Sequence, residues 1–487
     1  MATRYDNGLG DATAPPRVFT LGPLPPERLA YALARYSRSP DSIQESLKWV
    51  RTHDSSKFLE SFYFQYGHAS IADLGHLAVC FEGISELAAI EIEDEALWDG
   101  QARSSRYQDF SLAGYVTPPE LDETQAALYR ATGERLLAAY RAVHEKVFAY
   151  LHEKLPRPES MKPGAYERNL AARAFDVARY LLFLGVPTGV GQVTSIRTLE
   201  RQIRRWKGSE YGELRGIGEE AAAACAAPPG VQWQEGEDGE AIAPTLAKYV
   251  AREPYPALAK ADLRLWAEQN LPAPSLGEVR AVELVKVTDT LADIVATLLY
   301  PVTTRPYREL YELACAWPRT RLQEVAGVAL GQRSRRDELL RAFRGGPYVY
   351  DMTIDIGAYR DLHRHRRCQQ FRQDYTWIHG WETPAAVVEA GAEKTYVTAM
   401  REAAEAAGRL MAPGREYMTA LGARSRFLFK MDFAEAEYIA KLRSGVKGHF
   451  SYREIAWQMK LRMEETEPEL GRLIEATPPW VEDPLTR

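Results

Sequence analysis

The 487-residue chain has little that would tie it to a membrane, an oxidising compartment or a polyanion. Its four cysteines, Cys80, Cys225, Cys315 and Cys368, lie far apart. They form no CxxC pair and no disulfide framework, so a reducing cytoplasm fits best. No apolar run approaches the ~18 residues that a membrane span needs. The N-terminal Met1-Ala2-Thr3-Arg4-Tyr5-Asp6 lacks the apolar core of a signal peptide. Neither charge sign is in large excess: 61 Lys and Arg face 67 Asp and Glu, a net charge of -6, which argues against bulk nucleic-acid binding. What remains is ordinary globular material, 46% hydrophobic and 26% charged, in a chain too long for one core.

The most informative feature is an internal echo. Gln108-Asp109-Phe110-Ser111 is followed by Gly114-Tyr115-Val116-Thr117-Pro118. Much later, Gln373-Asp374-Tyr375-Thr376 is followed by Gly380-Trp381-Glu382-Thr383-Pro384. A segment of helical period follows each copy, so the order amide, acid, aromatic, hydroxyl, Gly-aromatic, Thr-Pro reads as a duplication. Upstream of the two echoes the copies differ.

The boundary between copies falls in the Pro- and Gly-rich, acidic stretch from Pro228 to Glu240, giving a first domain 1–225, a linker 226–245 and a second domain 246–487. Asp122 is the expected N-cap of a helix running to Leu155, with Leu128, Leu136, Tyr140, Val143, Val147 and Leu151 as its buried stripe. A matching helix is expected from Ala385 to about Met411. His76–Glu82 and Tyr348–Asp355 alternate as strands. The pattern is α+β: a strand, a charged motif, then long helices, twice.

The sharpest cluster is His363-Arg364-His365-Arg366-Arg367, whose adjacent cations repel unless an anion relieves them. A solvated basic helix face is the plain alternative. A metal held by His363 and His365 lacks a third ligand at suitable spacing. In the first copy, Gly67-His68-Ala69-Ser70-Ile71-Ala72-Asp73 offers donors and an acceptor on a short turn, although Ser70 as an N-cap explains it nearly as well. Arg103-Ser104-Ser105-Arg106-Tyr107 has the composition of a phosphate-monoester site, with a polar loop as the default reading.

Together these residues resemble the flavin-dependent thymidylate synthases. Arg35-Tyr36-Ser37, Gly67-His68-Ala69-Ser70, Phe81-Glu82-Gly83-Ile84-Ser85 and Ser104-Ser105-Arg106-Tyr107 carry the resemblance in the first half. Arg364-His365-Arg366, Leu442-Arg443 and His449 carry it in the second. Neither copy has the whole family signature. The first has Asp94-Glu95-Ala96 where Arg-His-Arg belongs, an acidic pair expected to repel flavin phosphates, and Gln101-Ala102 where Asn-Glu belongs. The second keeps Arg-His-Arg but has Cys368-Gln369-Gln370-Phe371-Arg372 in place of the Ser and Asn-Glu portion, and lacks an upstream Gly-His-x-Ser.

The resemblance implies two tandem repeats, each a small antiparallel sheet with long helices. It implies FAD as cofactor, NADPH and methylene-tetrahydrofolate as co-substrates, and dUMP as the nucleotide methylated. Arg364, His365, Arg366, His68, Ser70, Asp73 and His449 would bind the cofactor, with Ser37 a weaker candidate. Ser104 and Arg106 would hold the nucleotide phosphate, and Arg443 would bind and polarise the uracil as the catalytic group. No metal, nucleic acid or membrane is implied. Because the family builds its sites between the subunits of a tetramer, a duplicated chain would form a homodimer that mimics one. The broken signatures leave two alternatives: a catalytically silent flavin- or nucleotide-binding homologue, and an enzyme acting on another pyrimidine nucleotide.

Overall fold

The computed structural model describes residues 24–36, 43–53, 69–106, 108–111, 114–230, 241–242, 244–248, 250–272, 280–333, 340–343, 346–472, 474–483 and 485. The chain forms two compact units. One comprises Met1–Phe81, Leu97–Gln101 and Val190–Pro254; the other comprises Glu82–Ala96, Ala102–Gly189 and Tyr255–Arg487.

Among the described residues seven strands form two sheets. β1 (His76–Ser85), β2 (Asp99–Ala102) and β3 (Pro187–Ser195) are ordered β1-β3-β2. β4 (Val282–Lys286), β5 (Tyr348–Asp355), β6 (Gln369–Arg372) and β7 (Arg424–Met431) are ordered β4-β5-β7-β6, all antiparallel. β5 pairs along its whole length with β7, from Tyr348 opposite Met431 to Asp355 opposite Arg424. Every residue of β5 is buried, as its aromatic and β-branched composition suits. Leu263, Trp266, Val295, Leu299, Tyr300 and Leu310 from the helices before β5 pack with Val349 and Leu428.

Charges buried on this sheet are paired. Asp351 accepts from Tyr300 Oη (2.8 Å), the Tyr307 amide (2.6 Å) and Arg426 Nη1 (3.0 Å). Lys430, its side chain fully buried, donates to both oxygens of Asp293 (2.7 and 2.6 Å) and to Thr297 Oγ1 (3.1 Å). Each pair is tolerable only because every partner is present.

The duplication is written in the backbone bonds of the second unit. Leu184 N donates to Thr419 O (3.0 Å), and Leu421 N donates to Leu182 O (2.7 Å). Gly185 N donates to Tyr417 O, and Gly422 N donates to Tyr180 O. One constant shift in numbering carries each bond into its mate, and the bridge between Phe183 and Ala420 maps onto itself. A self-complementary contact of this kind is the mark of a twofold relation. Glu86 N to Val186 O and Leu87 N to Leu184 O recur as Ile356 N to Ala423 O and Gly357 N to Leu421 O. Tyr129 Oη donates to Val116 O (2.8 Å), as Tyr396 Oη donates to Glu382 O (2.5 Å). The chain is two tandem repeats of mixed helix and sheet.

The caps repeat as well. Ser85 ends β1 and accepts from Ala88 N; Asp355 ends β5 and accepts from Ala358 N. Ser195 ends β3 and accepts from Thr198 N; Asp432 follows β7 and accepts from Glu435 N. A short polar side chain at this position satisfies a helix-start amide and fixes where the helix begins.

The expected long helix is Glu123–Lys154, capped by Asp122. Its second-repeat counterpart departs from expectation. It breaks into Ala385–Glu389 and Glu393–Ala407, because Gly391 adopts φ +63° and Ala392 N folds back to Val387 O. The expected strands appear as His76–Ser85, longer than anticipated, and Tyr348–Asp355. Residues 231–240 of the expected linker lie outside the described residues.

Candidate functional site

The helix Ile356–Leu362 ends at His363, and the chain turns through Arg364–Cys368 into β6. This turn sorts the five basic residues. His363 and His365 are buried, Arg366 is half-buried, and Arg364 and Arg367 are exposed. The cluster is therefore neither a solvated helix face nor a histidine pair open to metal. Among the described residues no His, Cys, Asp and Glu grouping suits a metal ion. Gln370 ties the turn: its Oε1 lies 2.7 Å from His363 Nδ1, and its Nε2 donates to His365 O at 2.7 Å. The other ring nitrogen of His363, Nε2, is buried with no hydrogen-bond partner.

His365 is held from two sides. Arg443 Nε, at the end of the helix Phe433–Arg443, donates to His365 Nε2 at 2.7 Å. The Glu435 carboxylate lies 3.6 Å from His365 Nδ1, a charge contact too long for a hydrogen bond. Burial lowers the pKa of His365, and the cation of Arg443 adds to that against the pull of Glu435. Arg443 also lies over the Tyr452 ring, 5.7 Å from its centroid. Burial lowers the Arg443 guanidinium from its ordinary value, opposed by Asp361 and Tyr452.

The first repeat contributes Ser104–Arg106 to the same unit. Arg106 Nε and Nη2 grip Asp176 (2.7 and 3.3 Å), Nη1 donates to Tyr452 Oη (3.0 Å), and Nη2 reaches Lys447 O (3.4 Å). Burial works against this guanidinium, but Asp176 holds its pKa above the ordinary value. Arg106 is thus committed to building the wall, and its forked face is not turned to a phosphate. Ser104 Oγ accepts from Arg106 N (3.3 Å), and Ser105 Oγ accepts from Arg360 Nη1 (3.3 Å).

Behind these residues lies an ion-pair layer that the sequence alone did not reveal. Arg179, almost fully buried, donates to Asp361 at 3.1 Å. Burial raises the pKa of Asp361, but Arg179 and Arg106 outweigh it and hold the carboxyl below the usual range. Glu86 Oε2 sits 2.7 Å from Arg360 Nη2, a charge contact without the alignment of a hydrogen bond. Burial pushes Glu86 up to about 7, although Arg360 and Arg179 resist. Position gives the only sequence signal for this pair, since Glu86 follows the cap of one repeat's helix and Arg360 lies within the other's. Glu435 was missed as well; its one sequence signal is its place three residues after Asp432, the spacing of a capping box.

His449 is fully buried as the N-cap of the helix Phe450–Thr466. Its Nδ1 accepts from Ser451 N, so its Nε2 carries the proton and meets Asp176 O at 3.0 Å. As placed, both nitrogens serve the scaffold rather than a cofactor. A cavity of about 400 Å³ lined by Asp176, Val446, Gly448 and Phe450 adjoins this wall.

The turn equivalent to Arg364–Arg366 is Asp94–Ala96, after the helix Glu86–Glu93. The first acid of the pair expected to repel flavin phosphates is itself held by a cation: Arg341 Nη1 and Nη2 bond Asp94 at 2.6 and 2.9 Å. Beside it, Arg372 pairs with Glu91 (2.5 Å), and a cavity of about 310 Å³ opens between Ile90, Asp94, Lys260, Arg341, Tyr359 and Phe371.

Ser104, Arg106, Arg364, His365, Arg366, Arg443 and His449 all belong to this one compact unit. Asp73 belongs to the other, where it accepts from Arg197 Nη1 (3.0 Å) and Ser195 Oγ (3.1 Å). Ser37, His68 and the side chain of Ser70 lie outside the described residues.

Comparison with known proteins gives a consistent result. Residues 23–226 and 319–469, well over half of the chain, match the model of the thymidylate synthase complementing protein family. A UPF0159 protein of Chlamydia pneumoniae is 26% identical over 416 residues, covering 82% of this chain and 77% of that protein. A UPF0159 protein of Chlamydia muridarum is 27% identical over 415 residues, covering 81% and 76%. A UPF0159 protein of Thermoplasma acidophilum is 23% identical over 503 residues, covering 91% and 93%. Among solved structures, the flavin dependent thymidylate synthase ThyX of Helicobacter pylori, complexed with FAD and dUMP, matches at 17% identity and a TM-score of 0.26, over 41% of this chain and 89% of that one.

Proposed function

The chain belongs to the flavin-dependent thymidylate synthase family, and on that premise we propose that it methylates carbon 5 of a pyrimidine nucleotide, dUMP being the first substrate to test. The observation that carries this reading is the convergence of Ser104–Arg106 from one repeat with Arg360, Arg364–Arg366 and Arg443 from the other within one compact unit. Several guanidiniums in one place, set against a few carboxylates, suit a ligand that carries phosphates.

The outward side of the turn fits FAD by the chemistry of its donors, since Arg364 and Arg367 are exposed and Arg366 is half-buried. FAD bound there would supply the redox chemistry, with NADPH as reductant and methylene-tetrahydrofolate as carbon source. The chain's own contribution is positioning and charge. Arg443 would polarise the uracil and stabilise negative charge as carbon 5 becomes nucleophilic. Arg106, Arg179 and Arg360 supply positive field from behind the wall, and Ser104 remains the candidate hydroxyl for the nucleotide phosphate. His68, Ser70 and Asp73 are proposed as further cofactor-binding residues.

One observation favours a second reading, a catalytically silent homologue that still binds flavin or nucleotide. The guanidinium of Arg106 is bonded to Asp176, Tyr452 and Lys447 O, so a residue expected to grip phosphate is engaged by the scaffold. An enzyme for another pyrimidine nucleotide is the third possibility.

The tests separate these readings. The purified protein should be yellow, with the absorbance of FAD; a colourless protein that takes up no added FAD overturns the flavin reading. Flavoprotein should release tritium from dUMP labelled at carbon 5. Flavin retention without release points to the silent homologue or to another nucleotide. We further propose repeats spanning 1–225 and 246–487 around a linker 226–245, a cytoplasmic location, and a homodimer standing in for a tetramer. A flavin-bound species with the light-scattering mass of one chain would refute the dimer.

A further inference from the structure

Arg443 and His365 are joined directly, and that bond reassigns the histidine. A guanidinium only donates, so His365 Nε2 must offer its lone pair to Arg443 Nε at 2.7 Å. The neutral ring therefore carries its proton on Nδ1, the nitrogen that faces the Glu435 carboxylate at 3.6 Å. His365 and Glu435 are both buried, so neither partner is easily exchanged for water. Cys368 Sγ and Gln370 Nε2 both donate to His365 O, which fixes the backbone from which the ring projects.

Glu435 stands at the third helical position after the cap Asp432, where a capping-box glutamate would fold back onto the cap amide. Its carboxylate instead approaches His365. The first repeat provides an internal control. Register from the paired caps sets Glu95 opposite His365, Thr198 opposite Glu435, and Trp206 opposite Arg443. All three members differ there together, while the backbone bonds around them are kept.

We propose that His365 is a positioning residue for Arg443 rather than a contact to the flavin, with Glu435 selecting the tautomer that can accept the Arg443 N–H. The histidine within the basic turn then serves the nucleotide side of the site, while Arg364 before it is exposed and Arg366 after it is half-buried. This assignment rests on the functional reading above for its ligands, but not for its geometry.

The experiment reads ligand affinity and ring protonation separately. His365→Leu should weaken dUMP binding about tenfold and leave FAD retention within twofold. His365→Gln, whose amide oxygen can accept from Arg443, should recover most of that loss. Glu435→Ala should weaken dUMP about fivefold and shift the proton of His365 away from Nδ1, seen in the nitrogen-15 chemical shifts of the imidazole. The reverse split, with FAD lost and dUMP binding unchanged, overturns the proposal and makes His365 a flavin contact. The wild-type ring gives a test that needs no variant: Nδ1 protonated and Nε2 bare at pH 7 supports the relay, and any other state overturns it. Wild-type protein that binds neither dUMP nor FAD would overturn the functional reading, while the nitrogen-15 spectra would still decide the relay.

Discussion

The two turns that follow the capped helices, Asp94–Ala96 and Arg364–Arg366, stand on the same backbone and carry opposite charge. Each follows a strand, a polar cap that bonds the third residue after it, and a short helix pinned to a later segment of its own repeat by two amide bonds. Beyond that point the first turn presents acids and the second presents arginines around a buried histidine. Backbone bonds tolerate such divergence because they do not depend on side-chain identity, whereas a charge must find a partner wherever it lands. For Asp94 the partner is Arg341, so that carboxylate is compensated in place.

The sharpest way to break this comparison is to remove the charge difference. Arg364→Ala combined with Arg366→Ala should lower FAD retention at least about a hundredfold, since two charge-assisted contacts are each worth about 1.5–3 kcal/mol. Asp94→Ala should leave retention within about threefold by the same reasoning. Fluorescence titration of the stripped protein checks both. Equal losses in the two variants would mean that both turns serve one site.

A second contrast lies in the sheets. Lys430 in β7 corresponds to Val193 in β3, which is half exposed. Lys430→Met leaves Asp293 buried without its cation and should cost about 3–5 kcal/mol in chemical denaturation. Val193→Lys should change stability by less than about 0.5 kcal/mol, as expected at a surface strand position.

These contrasts explain what could be read from the chain. Strand and helix periods, caps such as Asp122 and the Gln-Asp-aromatic-hydroxyl echo are local, so the α+β repeats, the helix after Asp122 and the strand Tyr348–Asp355 were legible. The break at Gly391 was not, because a glycine within a helical period gives no sign of its φ. The basic turn was legible as chemistry but not as geometry: five adjacent basic residues do not reveal that His363 and His365 turn inward. Arg106 and His449 were identified from motif positions. What they bond to depends on Asp176, which is distant in sequence and carries no motif. The compensating Arg341 is equally remote from Asp94.

The caps differ in their response to pH. His449 caps its helix with a side-chain bond, whereas Tyr211 caps Gly212–Ala226 with none. Burial, together with Arg179 and Arg106, pushes His449 down to about 3, against the opposing pull of Asp176. A histidine lowered from about 6.5 stabilises the fold fully above that pH and loses the contribution as pH falls toward 3. Melting followed from pH 7 to pH 4 should therefore show a loss of about 2–4 kcal/mol that His449→Asn removes, because asparagine caps well and does not titrate. An unchanged pH profile in His449→Asn would assign acid sensitivity to other groups.

The smallest expected effect tests the twofold itself. Gly185 and Gly422 occupy equivalent places, each close to the tyrosine of its own repeat. A Cβ on Gly185 would fall 1.7 Å from Tyr129 Oη, while one on Gly422 would fall 2.9 Å from Tyr396 Oη and from Tyr180 Cβ. Both alanine variants overpack and should cost about 1–3 kcal/mol, with Gly185→Ala the larger. The clash at Gly185 is centred on one hydroxyl, so Tyr129→Phe in the Gly185→Ala background should recover part of the loss despite giving up the bond to Val116 O. Tyr396→Phe should recover less from Gly422→Ala, because the Tyr180 Cβ contact remains. A double-mutant cycle with no coupling at Tyr129 and Gly185 would show that the hydroxyl is free to move aside, and that the close approach in the first repeat does not constrain the sequence.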